Sequence, residues 1–257
     1  TRVRAVVREI IRDPSVHRVR LASDAPAIGM LRIERFQRRT GDELDAAMAA
    51  LLDARIEGLI IDLRGNPGGL YDEAVAVAGR FLSEGVIVST VGRDPDREKA
   101  RLADAPARYS SLRIACLVDA QTASAAELVS GALRDHRKAV LVGARTFGKC
   151  SVQSVYELFE DGDAYGALKL TTRHYLTPSG YSFAEGGLPV DAAAPQDDKT
   201  MAALRKAWQE EFLSQWNEPA ALRREPVNLG DDACLAAAVE ILASPARYDA
   251  LLSARAE

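Results

Sequence analysis

The sequence predicts an α/β fold, on three observations. Short apolar runs of strand length alternate with stretches whose apolar residues recur at helical spacing. Glycine-bearing turns close several of the apolar runs, as at Gly65-Asn66-Pro67-Gly68-Gly69 and Thr146-Phe147-Gly148. At 257 residues, with 47% hydrophobic and 27% charged side chains, the chain is also long enough to bury one sizeable core. Repeated strand–helix units pack as helices layered on a sheet. Periodicity alone does not separate a doubly wound sheet from other α/β layouts.

The elements follow in order. Val3 to Leu21 reads as two short strands broken at Asp13-Pro14. Ile28 to Phe36 is a half-buried strand. Thr40-Gly41-Asp42-Glu43 has the spacing of a capping box and opens a helix through Leu44, Met48 and Leu51 to Arg55. Arg32, Arg35, Arg38 and Arg39 read as a solvated face. Leu59-Ile60-Ile61 is a buried strand that delivers Asp62 and Arg64 into the glycine turn, and Tyr71 to Leu82 is an amphipathic helix. Val86 to Val91 is a strand, and Gly92 to Ser111 reads as a polar surface loop. Leu112 to Val118 is a buried strand. A helix follows from Ala125 to His136, with Thr122 as its expected N-cap. Ala139 to Gly143 is a further strand. Gln153–Phe159 and Ala167–Tyr175 form a hairpin across Glu160-Asp161-Gly162-Asp163, and the chain beyond Gln196 turns helical. There, Met201, Leu204, Trp208, Phe212 and Trp216 mark one helix, and Cys234 to Leu242 a second opened by Asp231 or Asp232. Ser244-Pro245 starts a third.

Composition narrows the function. A net charge of −4 gives no basic footprint for nucleic acid. No stretch approaches the roughly eighteen uninterrupted apolar residues of a membrane span. The chain begins Thr1-Arg2-Val3, without methionine or an apolar signal segment, and so reads as a processed chain. Cys116, Cys150 and Cys234 are widely spaced, form no metal-ligand pattern and give no disulfide framework. No metal or organic cofactor is expected.

One segment does suggest chemistry. Ser124 follows a buried strand and opens a helix, so its hydroxyl lies near unpaired N–H groups and the positive end of the helix dipole. That setting favours an oxyanion. His136 is about 18 Å along the same helix and cannot act as its base, and His17 and His174 lie in no triad-like context. Lys149 is the rival base, provided burial keeps its amine neutral, and Gln153 could hold it. On spacing alone, Ser124 reads more simply as an ordinary helix cap and Lys149 as an ordinary exposed loop residue, since serines open many helices. Cys150, beside Lys149, is a weaker rival nucleophile.

Four segments occur in a telling order: Asp62-Leu63-Arg64-Gly65-Asn66-Pro67-Gly68-Gly69, Thr122-Ala123-Ser124-Ala125-Ala126-Glu127, Thr146-Phe147-Gly148-Lys149-Cys150-Ser151-Val152-Gln153 and Leu170 to Gly180. Together they resemble the carboxyl-terminal processing, or tail-specific, serine peptidases, from about Ile28 to about Pro195. The resemblance implies a core of stacked β-β-α units related to the ClpP and crotonase folds, with C-terminal helices. It implies Ser124 as nucleophile, Lys149 as general base and Gln153 as the residue orienting the lysine. Gly68 or Gly69, with Ala125, would form the oxyanion hole. It further implies a protein or peptide substrate cut near its C-terminus, and a periplasmic or other exported compartment. Residues 1–21 would be the last strands of a PDZ-like module, 22–196 the peptidase core, and 197–257 a helical segment that packs on the core or mediates self-association. Cys150 stands where the family usually has glycine, a side chain that could crowd the substrate or alter the desolvation of the base. Two other readings stand beside this one: an inactive peptide-binding scaffold of the same fold, and an acyl-CoA enzyme of crotonase type, for which no CoA signature or carboxylate pair is visible.

Overall fold

The computed structural model describes residues 13–93, 99–160, 163–184, 186–214, 222–223, 230 and 232–254. The opening strand expected within residues 1–12 and the end of the helix expected to reach Trp216 lie outside them.

A six-stranded sheet organises the molecule, in the order β1-β2-β3-β6-β7-β10. Its strands are β1 (Val16–Asp24), β2 (Ala27–Ile33), β3 (Gly58–Asp62), β6 (Arg113–Val118), β7 (Ala139–Gly143) and β10 (Ala192–Ala193). β1 runs antiparallel to β2, and the remaining neighbours are parallel. Strands buried on both faces must be apolar at consecutive positions, as in Gly58–Asp62 and Ala139–Gly143, where every residue is buried. Alternate residues then feed two cores. Leu59, Ile61, Ile114, Cys116 and Leu141 face the layer of α1 (Thr40–Asp53), α2 (Tyr71–Gly79) and α3 (Ala125–Asp135). Met30, Ile60, Leu117, Val140 and Val142 face α5 (Ala233–Ala243) and α6 (Pro245–Ser253).

A second sheet, ordered β5-β4-β9-β8, contains β4 (Val86–Gly92), β5 (Lys99–Leu102), β8 (Ser151–Glu160) and β9 (Asp163–Leu176). Only Ser89–Gly92 of β4 pairs with β9, through Arg173–Leu176, so most of the β8–β9 ribbon extends beyond its sheet.

Four expectations from sequence change. β1, most of which lies within residues 1–21, is an edge strand of the core sheet. The stretch from Gly92 to Ser111 is not all loop, because it contains β5. Thr40–Glu43 does not form a capping box: Arg39 is the N-cap, with φ 81°, and Glu43 accepts from Ser15 and Val16 on β1's approach instead. Arg32 is no part of a solvated face. Its side chain is 3% exposed, with its guanidinium 4.3 Å from the ring centre of Trp208 on α4 (Asp198–Ser214).

The C-terminal helices are anchored by charge as well as by apolar contact. Arg64 donates from Nε and Nη2 to Asp62 and from both terminal nitrogens to Asp232, at 2.7–3.0 Å. Asp232 in turn caps α5 by accepting from Leu235 N–H. Burial pushes the Asp62 carboxyl up, but Arg64 and Arg32 outweigh it and hold the group well below the usual carboxylate range. Such a pair is stable as long as neither partner is removed.

Candidate active site

Two turns leave the carboxyl ends of adjacent parallel strands, where α/β sheets place their ligand crevices. Leu63–Leu70 follows β3 and Asp119–Ser124 follows β6. Their side chains lace them together. Thr122 Oγ1 donates to Leu63 C=O at 2.9 Å, and Ala123 N–H to Asn66 C=O at 2.9 Å. Asp119 Oδ1 accepts from Gly65, Gln121 and Thr122 N–H groups. Asn66 is fully buried; its amide donates to Ile33 C=O while its Oδ1 accepts from Gly68 N–H at 2.8 Å. An asparagine is needed there because one side chain must both donate and accept.

Thr122 therefore staples the turns and does not cap the helix. The N-cap is Ser124, held at φ 56°, ψ −117°. A side chain in that region stores about 1–3 kcal/mol of strain, which persists only where the surroundings impose it. They do so here: Gly68 packs so closely that a Cβ on it would lie 2.8 Å from Ser124 Cβ and 2.9 Å from Ala125 N. With Gly68 N–H engaged by Asn66, the exposed Gly69 and the buried Ala125 are left. Neither of their N–H groups has a hydrogen-bond partner among the described residues.

Glu127, three residues into the helix, accepts four hydrogen bonds. Its carboxylate is completely buried. Oε2 accepts from Ser124 N–H and from Lys149 N–H, both at 2.8 Å; Oε1 accepts from Gly148 N–H at 2.7 Å and Thr146 Oγ1 at 2.5 Å. One carboxylate thus ties the backbone of the serine turn to the backbone of the lysine turn. Sequence reasoning gave this residue no role, although serine with glutamate three residues on is the capping-box spacing.

The side chains on the lysine turn are less constrained. Lys149 is exposed, and no hydrogen bond joins its Nζ to Ser124 among the described residues. Gln153 is exposed on β8 and donates to Thr171 Oγ1 at 2.7 Å, so it does not hold Lys149 here. Cys150 points inward, 4% exposed, with its sulfur 3.2 Å from His174 Nδ1. Burial pushes its thiol up, and the nearby Glu127 charge adds to that, which suits an inert buried thiol better than a nucleophile. His136 donates from Nε2 to Val86 C=O at 2.7 Å, away from Ser124. A cleft of about 360 Å³ lined by Arg64, Asp119, Gln121, Met201 and Arg205 includes none of Ser124, Lys149 and Gln153.

The same residues place the chain among known proteins. Residues 27–194 match the sequence pattern of peptidase family S41. The chain belongs to that family. It is 40% identical over 198 residues to a carboxy-terminal-processing protease of Bartonella bacilliformis, covering 74% of this chain and 43% of that protein. It is 39% identical over 166 residues to the chloroplastic carboxyl-terminal-processing peptidase 1 of Arabidopsis thaliana, covering 64% and 32% respectively. In structure it is similar to a photosystem II D1 C-terminal processing protease, with a TM-score of 0.60, 31% identity, and 65% of this chain matched to 42% of that one. A putative S41 protease from Bacteroides fragilis shares the fold at 18% identity, with a TM-score of 0.63 over 91% of this chain and 59% of that one. The α/β core is therefore the S41 peptidase fold. The chain spans less than half the length of the curated relatives it matches.

Proposed function

We propose that this S41 chain is the catalytic core of a serine endopeptidase that cuts polypeptides near their C-termini through Ser124 and Lys149. The observation that carries the reading is the Glu127 carboxylate, which holds the two turns at a fixed separation. Ser124 Oγ attacks the scissile carbonyl carbon as its proton passes to the neutral amine of Lys149. The oxyanion accepts from the unengaged N–H groups of Gly69 and Ala125, next to the positive end of α3. The C–N bond breaks as the protonated lysine gives its proton to the leaving amine. Water, deprotonated by Lys149, then releases the acyl group, and Ser124 recovers its proton.

Lys149 is exposed, so the productive dyad forms when a bound polypeptide covers it and excludes water, a change that favours the neutral amine. Gln153, bonded to Thr171 Oγ1, reaches the lysine only if that bond is given up. An exported or organellar compartment fits this reading, since one relative is chloroplastic by name. The test is digestion of an unstructured protein by this chain and by Ser124→Ala and Lys149→Ala variants, with products sized by mass spectrometry. Fragments from the parent alone support the reading. Equal fragmentation by either variant removes the dyad.

A further inference from the structure

Sheet edges are sites of unwanted pairing, and proteins blunt the ones they do not use. Among the described residues the two sheets end in four edge strands: β1, β10, β5 and β8. Three are blunted. β10 is only two residues long, and β5 is four residues with exposed Lys99 and Arg101. β1 carries two bulges, with the extra residues on β1 itself, and its Arg20 is bridged to Arg223.

β8 has none of these devices. It runs ten residues, Ser151–Glu160, without proline, lysine or arginine. The extra residues at its two register shifts lie on β9, so Gln153–Leu158 pairs with Gly166–Thr171 in unbroken register. Val155, Tyr156 and Phe159 are 63%, 51% and 60% exposed. An unbulged edge of this length, with exposed apolar side chains and Glu157 as its one charge within the regular register, is the form that takes up an added strand.

We infer that the free edge of β8 binds an extended, unfolded stretch of the substrate polypeptide as an added β-strand; this rests on the peptidase reading above. What selects a substrate over a second copy of the chain is continuity with the site. β8 opens two residues after Lys149, whose N–H shares the Glu127 carboxylate with Ser124. A segment paired with Gln153–Leu158 covers about 20 Å and leads toward the catalytic turns. Recognition is mainly by backbone, so the sequence preference is broad. Apolar or β-branched residues fit beside Val155 and Phe159, and a basic residue beside the exposed Glu157 that lies between them on the same face. A folded domain has its backbone groups already paired and is excluded.

The test uses the full chain carrying Ser124→Ala, so that binding is read without cleavage. A labelled peptide of about ten residues, alternating valine and threonine with one central lysine, is titrated by fluorescence anisotropy. Two further probes carry N-methyl groups on alternate residues, one for each register. The unmodified peptide binds, and methylation in the register that faces β8 weakens it about tenfold or more, the loss of two or so backbone hydrogen bonds. Val155→Lys with Phe159→Lys, both at exposed positions and checked for fold by circular dichroism, weakens binding to a similar degree. Binding indifferent to methylation in both registers, or no binding, overturns the inference. So does a parent dimer in sedimentation that the lysine variant dissolves, since a second copy then owns the edge. Methylation-sensitive binding by a parent that cuts nothing would sink the peptidase reading and leave the edge site standing; cleavage with insensitive binding would do the reverse.

Discussion

The two halves of the candidate site differ in how they are held. On the serine side, Asn66 C=O, Asp119 and Thr122 are hydrogen-bonded between turns, Gly68 presses on Ser124, and Ser124 itself is forced into a strained backbone. On the lysine side, Glu127 holds the Gly148 and Lys149 N–H groups and the Thr146 hydroxyl, and Cys150 is buried, but the Lys149 amine has no such hold among the described residues. The side chains of Lys149 and Gln153 lie exposed on it, ahead of a ribbon that leaves its sheet. The candidate nucleophile and oxyanion donors are therefore pre-organised by the fold, while the candidate base is left for a substrate to bury. Pre-organised dipoles lower a barrier without reorganisation at the moment of reaction, whereas a base covered by its substrate makes turnover depend on occupancy.

The difference can be broken at Glu127. Glu127→Gln places a donor where at least one of four hydrogen bonds needs an acceptor, so both turns loosen. Expected losses are roughly a hundredfold in kcat and about 2–4 kcal/mol in stability, read by peptide assay and denaturant melt. Wild-type activity in a folded variant would mean that the turns do not need the carboxylate.

Next in size is the acid side of the stability curve. Glu34 is pushed up by burial, but His17 and Arg32 outweigh it and bring it down to about 2; Asp62 is depressed further by Arg64 and Arg32. Both folded carboxyls lie below their unfolded values. Their stabilisation is therefore complete above about pH 4.5 and is lost as pH falls toward 2 and beyond. Melts across that range should show the midpoint falling steeply, and Asp62→Asn should flatten the fall while lowering stability near neutrality. A flat acid limb in the parent would contradict the buried ion pairs.

Ser124→Gly is expected to abolish cleavage while raising stability by about 1 kcal/mol, since glycine accepts φ 56° without strain. A lower melting temperature would show that the strain is not stored there. The smallest effect is expected at Gln153. While its amide stays on Thr171, Gln153→Ala should cost less than about tenfold in kcat/KM. A loss of a hundredfold or more would show that the lysine side rearranges in the bound state and that Gln153 reaches Lys149.

How much of this was legible beforehand differs by residue. The strand Ala139–Gly143 and the α3 serine turn were visible because burial on both faces demands an unbroken apolar run and a helix needs a polar start. The same spacing rule misleads at Thr40–Glu43, because the Glu43 carboxylate is taken by Ser15 and Val16, 28 and 27 residues earlier in the chain. At Ser124–Glu127 the reciprocal bond from the serine N–H forms, and the glutamate gains three more donors from a loop some twenty residues on. No local rule reports such a loop. Arg32 looked solvated beside Arg35 and Arg38, since nothing nearby in sequence foretells Trp208 arriving from α4.

By itself, then, the sequence determined the α/β alternation, the glycine turns and the serine-led helix, because those depend on periodicity and on backbone preferences acting over a few residues. Its ordered motifs also determined the family. Tertiary structure alone decided that the Asn66 amide reaches Ile33 C=O, that Glu127 joins two turns, and that Lys149 lies open at the head of a free edge strand. Each of these is a choice among donors, acceptors and edges that chain neighbours cannot make, because the competing partners meet only once the sheet has formed.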